Sequence, residues 1–220
     1  MTVKNKVKII PTVFATSKRE FDERFKKLNK ISRNLQIDFM DGKLVRTKSI
    51  ELKDVLSLKG KGVFEAHLMV DNPESWIVDL SKKGFKKVLF HYESLRTHTQ
   101  ISNLVFRIKG NGMKPWIVFN PETDFRHILT IIDDVSDIEG IMFMGHLPGR
   151  ENETIDLNVV RKIRNIKSTG RKIKIQVDGG VDDKSLPLLV KAGVDVVNVG
   201  SFIAEAKDPK KAMKELEKLA

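Results

Sequence analysis

Short apolar runs with the reach of a β-strand alternate with amphipathic stretches from one end of the chain to the other, and nothing else in it limits the fold as tightly. The runs lie near Val7–Val13, Asn34–Asp38, Gly62–Met69, Lys86–His91, Lys114–Phe119, Gly140–Met144, Ile173–Asp178 and Asp195–Gly200. Strand followed by helix, repeated, is the pattern of a parallel sheet covered by helices. Eight such pairs in 220 residues suit a closed barrel better than an open sheet, so the expected fold class is α/β, a (β/α)8 TIM barrel. Composition does not break anywhere and no linker or low-complexity tract intervenes, so residues 1–220 are read as a single domain.

Local signals support the helices. Ser17 and Glu20 have capping-box spacing, and Phe21, Phe25 and Leu28 then recur on one helical face. Asn72-Pro73-Glu74 and Asp208-Pro209 each offer a cap residue followed by proline at the first helical position. Ile101, Leu104, Val105 and Ile108 mark another core-facing stripe, as do Val159, Val160, Ile163 and Ile166.

The absence of cysteine excludes disulfides, thiolate chemistry and thiolate-held metals, and fits a reducing cytoplasm. The apolar stretch near Ile9 is interrupted by Pro11 and is too short for a membrane span, so a soluble, unprocessed protein is expected. A formal net charge of +11 raises the question of nucleic acid. The basic residues, such as Lys26-Lys27, Lys82-Lys83, Arg161-Lys162 and Lys210-Lys211, are scattered and alternate with acids, which describes a solvated surface. No nucleic-acid or membrane partner is expected, and a homo-oligomer is left open.

Side chains alternate across a strand, so Gln36, Asp38 and Met40 share one face while Leu35, Ile37 and Phe39 share the other. The apolar set belongs against helices, which directs Gln36 and Asp38 into the barrel. Gln176 and Asp178 repeat the arrangement on the seventh strand, and His67 and Met69 share a face of the third. Two aspartates and a histidine at one mouth form a donor set for a divalent cation, and paired carboxylates can move a proton onto and off a carbon. Taken singly, His67 is equally a hydrogen-bonded core residue, and either aspartate a turn cap. Gly179-Gly180 and Gly200-Ser201 follow the last two strands, where backbone N–H groups often meet a phosphate.

These residues resemble those of the ribulose-phosphate 3-epimerases along nearly the whole chain. The resemblance is carried by Ile10-Pro11-Thr12, Asp38-Phe39-Met40-Asp41-Gly42, His67-Leu68-Met69, Asn72-Pro73-Glu74, His91-Tyr92-Glu93, Asn120-Pro121-Glu122-Thr123, Val177-Asp178-Gly179-Gly180 and Gly200-Ser201. It implies a ribulose-phosphate-binding type of barrel that interconverts ribulose 5-phosphate and xylulose 5-phosphate with a divalent metal ion. Zn, Fe, Mn, Co and Mg all remain open as the ion. By the same resemblance Asp38 and Asp178 are the acid–base pair and metal ligands, and His67 is a further ligand. Met40, Met69 and Met144 would flank the reacting carbons. Thr12 stands where the family usually has serine, and Gly179, Gly180, Gly200 and Ser201 match its phosphate-binding turns.

The chain departs from the family pattern at two places. Gln36 stands where the family has a metal-ligand histidine, and a neutral amide oxygen is a weaker ligand than imidazole for zinc. His146, in a loop at the right end, is a candidate to compensate. The sixth loop, Leu147-Pro148-Gly149-Arg150-Glu151-Asn152-Glu153, keeps only the proline and Gly149 of the family's glycine-rich stretch, and Arg150 offers a charged phosphate contact in exchange. Three alternatives follow: an epimerase of another ketose phosphate, a catalytically impaired phosphosugar-binding barrel, and, third, a polyanion-binding barrel. A related branch of decarboxylases carries lysine where this chain has Met40, and ranks lower for that reason.

Overall fold

The structure, a computed structural model, describes residues 6–58, 60 and 62–220. Its strands are β1 (Lys8–Val13), β2 (Asn34–Met40), β3 (Val63–Met69), β4 (Lys87–His91), β5 (Lys114–Phe119), β6 (Gly140–Met144), β7 (Lys174–Asp178) and β8 (Val196–Val199). Each pairs in parallel with the next, and β8 closes on β1 with Lys8 opposite Val196. The barrel expected from the strand–helix rhythm is therefore formed.

The helices are α1 (Lys18–Leu28), α2 (Ile77–Lys83), α3 (His98–Gly110), α4 (Phe125–Asp134), α5 (Asn158–Ser168), α6 (Leu186–Ala192), α7 (Ser201–Ala204) and α8 (Pro209–Leu219). They are not distributed one per strand. Among the described residues β2 is followed only by a 3-10 turn at Leu52–Asp54, whereas β8 is followed by two helices. The segment after β2 has no helical apolar stripe and crosses the mouth instead. Asp41 pairs antiparallel with Lys48, Ser49 Oγ accepts the Met40 N–H at 2.9 Å, and Thr47 Oγ1 donates to the Gly149 carbonyl at 2.7 Å.

Two of the expected caps differ in detail. Ser17 accepts the Glu20 N–H, but the Glu20 carboxylate reaches one residue further back, to the Thr16 N–H at 2.9 Å. Asn72 makes no side-chain cap; its carbonyl accepts from Ser75 Oγ, and Pro73–Trp76 form a 3-10 turn ahead of α2. Asp208 caps α8 as expected, accepting the Lys211 N–H at 3.0 Å. No helix of the described residues is long and apolar enough to cross a membrane.

Leu35, Ile37 and Phe39 of β2, with Ala66, Leu68, Val88, Phe90, Ile175 and Val177, join the helices in one continuous core. The barrel interior is divided. Leu89, Trp116, Val118, Met142 and Met144 from β4, β5 and β6 form a separate apolar cluster. Beside Ile10, Met40 and Met69, the remaining interior is polar and buried, with Gln36, Asp38, Glu65, His67, Lys87, Gln176, Asp178 and Asn198. Its lower level is a plug. Lys87 Nζ lies 3.3 Å from Glu65 Oε1, donates to Gln176 Oε1, and sits 3.5 Å from the Trp116 ring centre. Gln176 Nε2 in turn donates to Glu65 Oε2 at 3.1 Å and to Asn198 Oδ1. Burial of four polar side chains is tolerable because each finds at least one partner, Asn198 Nδ2 alone of the plug's polar atoms being left without one.

Candidate active site

One strand pleat above the plug, period-two alternation brings Asp38, His67 and Asp178 inward at the carboxyl ends of β2, β3 and β7. His67 Nδ1 lies 3.1 Å from Asp38 Oδ1 and 3.4 Å from Asp178 Oδ2. Gln36 Nε2 donates to both acids, at 3.1 Å to Asp38 Oδ1 and 2.5 Å to Asp178 Oδ2. All four side chains are buried. On its far side His67 Nε2 meets His91 Nε2 at 2.9 Å.

The electrostatics of this layer are uneven. Burial opposes a charge on His67, yet its bonds to Asp178 and Asp38 outweigh that and push the ring up to about 9. Burial raises the Asp38 carboxyl above the usual carboxylate range, and His67 only partly offsets it. Asp178 is equally buried but ends below that range, because the His67 hydrogen bond and charge, then Gln36 and His146, overcome the burial. Next door, burial lowers His91. Glu93 lies below its ordinary value, since His91, Thr123 and the Asn120 N–H outweigh its burial.

The group fits a divalent cation. Ligand atoms of Asp38, His67 and Asp178 all lie within 4.8 Å of one another. Gln36 Oε1 is buried with no hydrogen-bond partner, so turning the amide over would offer that oxygen to a cation beside the two acids. Two carboxylates, an imidazole and an amide oxygen are ligands for hard or borderline divalent ions.

A cavity of about 470 Å³ opens above this layer. Thr12, Asp38, His67, Met69, Met144, Gly149, Asp178, Gly179, Gly180, Gly200 and Ser201 border it. Gln36 lies beneath the carboxylates and Met40 is buried outside the cavity wall, so neither is among the residues bordering it. Gly179 and Gly180 have φ of +102° and +67°, which side chains seldom adopt. A Cβ on Gly180 would come within 2.4 Å of the Ile155 nitrogen, because the loop after β6 lies directly on this turn. That loop is anchored from outside: Arg24 of α1 donates to Glu151 Oε1 at 2.6 Å. Arg150 borders the cavity with its guanidinium 3.6 Å from Glu153. His146 also borders it, packed beside Gly179, with Nδ1 2.9 Å from the Leu147 carbonyl and outside the Asp38–His67–Asp178 group.

Sequence reasoning passed over the Lys87 plug and the Arg24 anchor, and gave His91 and Glu93 no role. Their signals were present: Glu65 and Lys87 are charged residues in strand runs, and His91 shares a face with Lys87 and Leu89.

A parallel barrel with paired carboxylates, a buried histidine and glycine turns around one cavity defines a (β/α)8 barrel whose candidate site would suit a small polar molecule. Residues 8–204 match the Ribulose-phosphate 3 epimerase family. The chain belongs to that family and is an epimerase. It is 34% identical over 191 residues to the ribulose-phosphate 3-epimerase of Methanocaldococcus jannaschii, covering 84% of this chain and 78% of that one. It is 28% identical over 186 residues to the cytoplasmic isoform from Oryza sativa subsp. japonica, covering 84% and 81%. With the Bacillus subtilis ribulose-phosphate 3-epimerase it shares 27% over 222 residues, covering 96% and 98%. Among solved structures, KGPDC from Streptococcus mutans superposes with a TM-score of 0.74 at 12% identity, covering 97% of this chain and 96% of that one. The 3-hexulose-6-phosphate synthase from Salmonella typhimurium gives 0.72 at 16%, covering 97% and 98%. Likeness at these identities concerns the fold.

Proposed function

We propose that the protein inverts C3 of a ketopentose phosphate, interconverting D-ribulose 5-phosphate and D-xylulose 5-phosphate, with Asp38 and Asp178 as the two proton-transfer groups. The observation that carries this reading is the meeting of two carboxylates from the non-adjacent strands β2 and β7 around one nitrogen of His67, at 3.1 and 3.4 Å, where the cavity begins. The C3 proton is acidic because it neighbours the C2 carbonyl. One carboxylate takes it, an ene-diolate forms, and the other carboxylic acid returns a proton to the opposite face. That sequence needs one acid ionised and one protonated at the start. The opposite displacements of Asp178 and Asp38 support such a start, and reversing the reaction exchanges their roles.

Asp38, His67, Asp178 and, with its amide turned, Gln36 would hold a divalent cation, which when bound supplies positive charge for the oxyanion at C2. Met69 and Met144 give the cavity an apolar wall that limits water at the reacting carbon. Gly179, Gly180, Gly200 and Ser201 are read as the phosphate cradle, with Arg150 nearby. Gln36, on which a binding-only barrel would rest, donates to both acids and so keeps the pair together. Residues 1–220 are taken as one catalytic domain, since barrel and helices run from Lys8 to Leu219. The name of the rice relative and the lack of cysteine favour the cytoplasm.

The test is a coupled assay for xylulose 5-phosphate, run after chelation and after return of single divalent metals. Asp178→Asn and Asp38→Asn should each lower turnover by about 10²–10⁴-fold with an unchanged unfolding midpoint. Near-normal turnover in Asp178→Asn would remove the two-acid scheme. Failure of the unaltered protein to form xylulose 5-phosphate with any metal would remove the substrate.

A further inference from the structure

Behind the active-site layer lies a pair that the proton transfers do not use, a buried histidine and a half-buried glutamate. His91 and Glu93 occupy the end of β4 and the turn after it. The His91 ring stacks on His67 with centres 5.1 Å apart and planes 17° from parallel, and the two Nε2 atoms are 2.9 Å apart. One of those nitrogens must donate and the other accept. Which does which depends on the other edge of His91. There Nδ1 lies 3.4 Å from Glu93 Oε2. Both atoms, and Asn120 Oδ1 close by, are buried and have no hydrogen-bond partner elsewhere, and at 3.4 Å the first two stand just short of a well-aligned bond. A carboxylate oxygen and an amide oxygen are acceptors only, so Nδ1 of His91 carries the hydrogen. Glu93 itself is held in place through Oε1, which accepts the Asn120 N–H at 3.0 Å and the Thr123 hydroxyl.

We infer that Glu93 and His91 are positioning residues that keep a hydrogen on Nε2 of His67, so that the proton given up to a cation is the one on Nδ1, the nitrogen facing Asp38 and Asp178. With hydrogen on Nδ1 of His91, its Nε2 is an acceptor and takes the hydrogen on Nε2 of His67. When a cation displaces the Nδ1 proton, the lone pair of His67 is then left on Nδ1, the nitrogen already 3.1 Å from Asp38 and 3.4 Å from Asp178. A carboxylate behind a metal-binding histidine fixes its orientation directly in many sites, whereas here the instruction passes through a second imidazole. The inference rests on the proposed cation site for its purpose, but not for its geometry.

The test is Glu93→Gln. The glutamine carbonyl keeps the Asn120 and Thr123 contacts, which turns its NH₂ toward Nδ1 of His91. A donor there moves the hydrogen of His91 to Nε2, and the hydrogen of neutral His67 to Nδ1, where it blocks the ligand atom. ¹⁵N shifts of the metal-free protein, taken with His67 neutral, should show His91 protonated at Nδ1 in the unaltered chain and at Nε2 in Glu93→Gln. Cobalt affinity, measured by chelator competition, should fall about 10–100-fold in Glu93→Gln. His91→Phe, which keeps a stacked ring but offers no acceptor, should fall similarly. A purely structural role would lower the unfolding midpoint and leave the His91 resonance in place. His91 protonated at Nε2 in the unaltered chain, or unchanged cobalt affinity in both variants, overturns the inference. If the unaltered protein takes no cobalt, the cation site fails, while the ¹⁵N shifts still decide the relay.

Discussion

Replacing Lys87 with methionine removes the ammonium from the plug beneath the active-site layer and keeps most of the side chain's apolar stem. The magnitude follows from its surroundings. Lys87 is 5% exposed and Glu65 2%, and they meet at 3.3 Å with Gln176 and the Trp116 ring completing the shell. Burial, only partly countered by Glu65, lowers the lysine from 10.5 to about 8. Between those values the unfolded chain holds a proton that the folded chain lacks, so stability should rise with pH across that window. At 1.36 kcal/mol per unit the full contribution is about 3 kcal/mol, and it should vanish in Lys87→Met. At pH 7 the single variant leaves the Glu65 carboxylate with only the Gln176 amide, a loss of about 3–5 kcal/mol for a broken buried pair. Adding Glu65→Gln removes the stranded charge and should restore most of that. Urea unfolding followed by the fluorescence of Trp76 and Trp116 measures both effects, and slopes common to the surface lysines cancel between variants. Equal stability of Lys87→Met and the unaltered chain, with the same rise between pH 8 and 10, would refute the reasoning. So would a double variant weaker than the single one.

Two further outcomes concern the cavity. Gly180→Ala places a Cβ 2.4 Å from the Ile155 nitrogen and 2.8 Å from the Glu153 carbonyl at φ +67°. Left-handed strain of about 1–2 kcal/mol and a shifted loop should raise KM for the phosphorylated substrate more than they lower kcat, and an unchanged KM would argue against a phosphate at this turn. Gln36→His should raise zinc or cobalt affinity at least about tenfold, roughly 1.4 kcal/mol, in chelator competition. Weaker binding would instead show that the amide's bonds to Asp38 and Asp178 organise the site.

What the chain alone determined was local. Period-two spacing sorted Leu35, Ile37 and Phe39 from Gln36 and Asp38, and the apolar runs marked every strand to within a residue or two. The stretch after β2 was the exception to the strand–helix rhythm, because its residues bind across the mouth to Gly149 rather than along a helix. The same alternation told which side chains enter the barrel, since a strand's faces follow from its own backbone.

Only closure of the barrel decided which of those inward side chains touch. Lys87 reaches Gln176 across 89 positions of sequence, and Gln36 reaches Asp178 across 142. Such contacts depend on strand stagger and side-chain length, which no spacing within one strand encodes. For the same reason His91 and Glu93 read as a short motif in the sequence. In the folded chain they stand directly behind the ring that faces both acids.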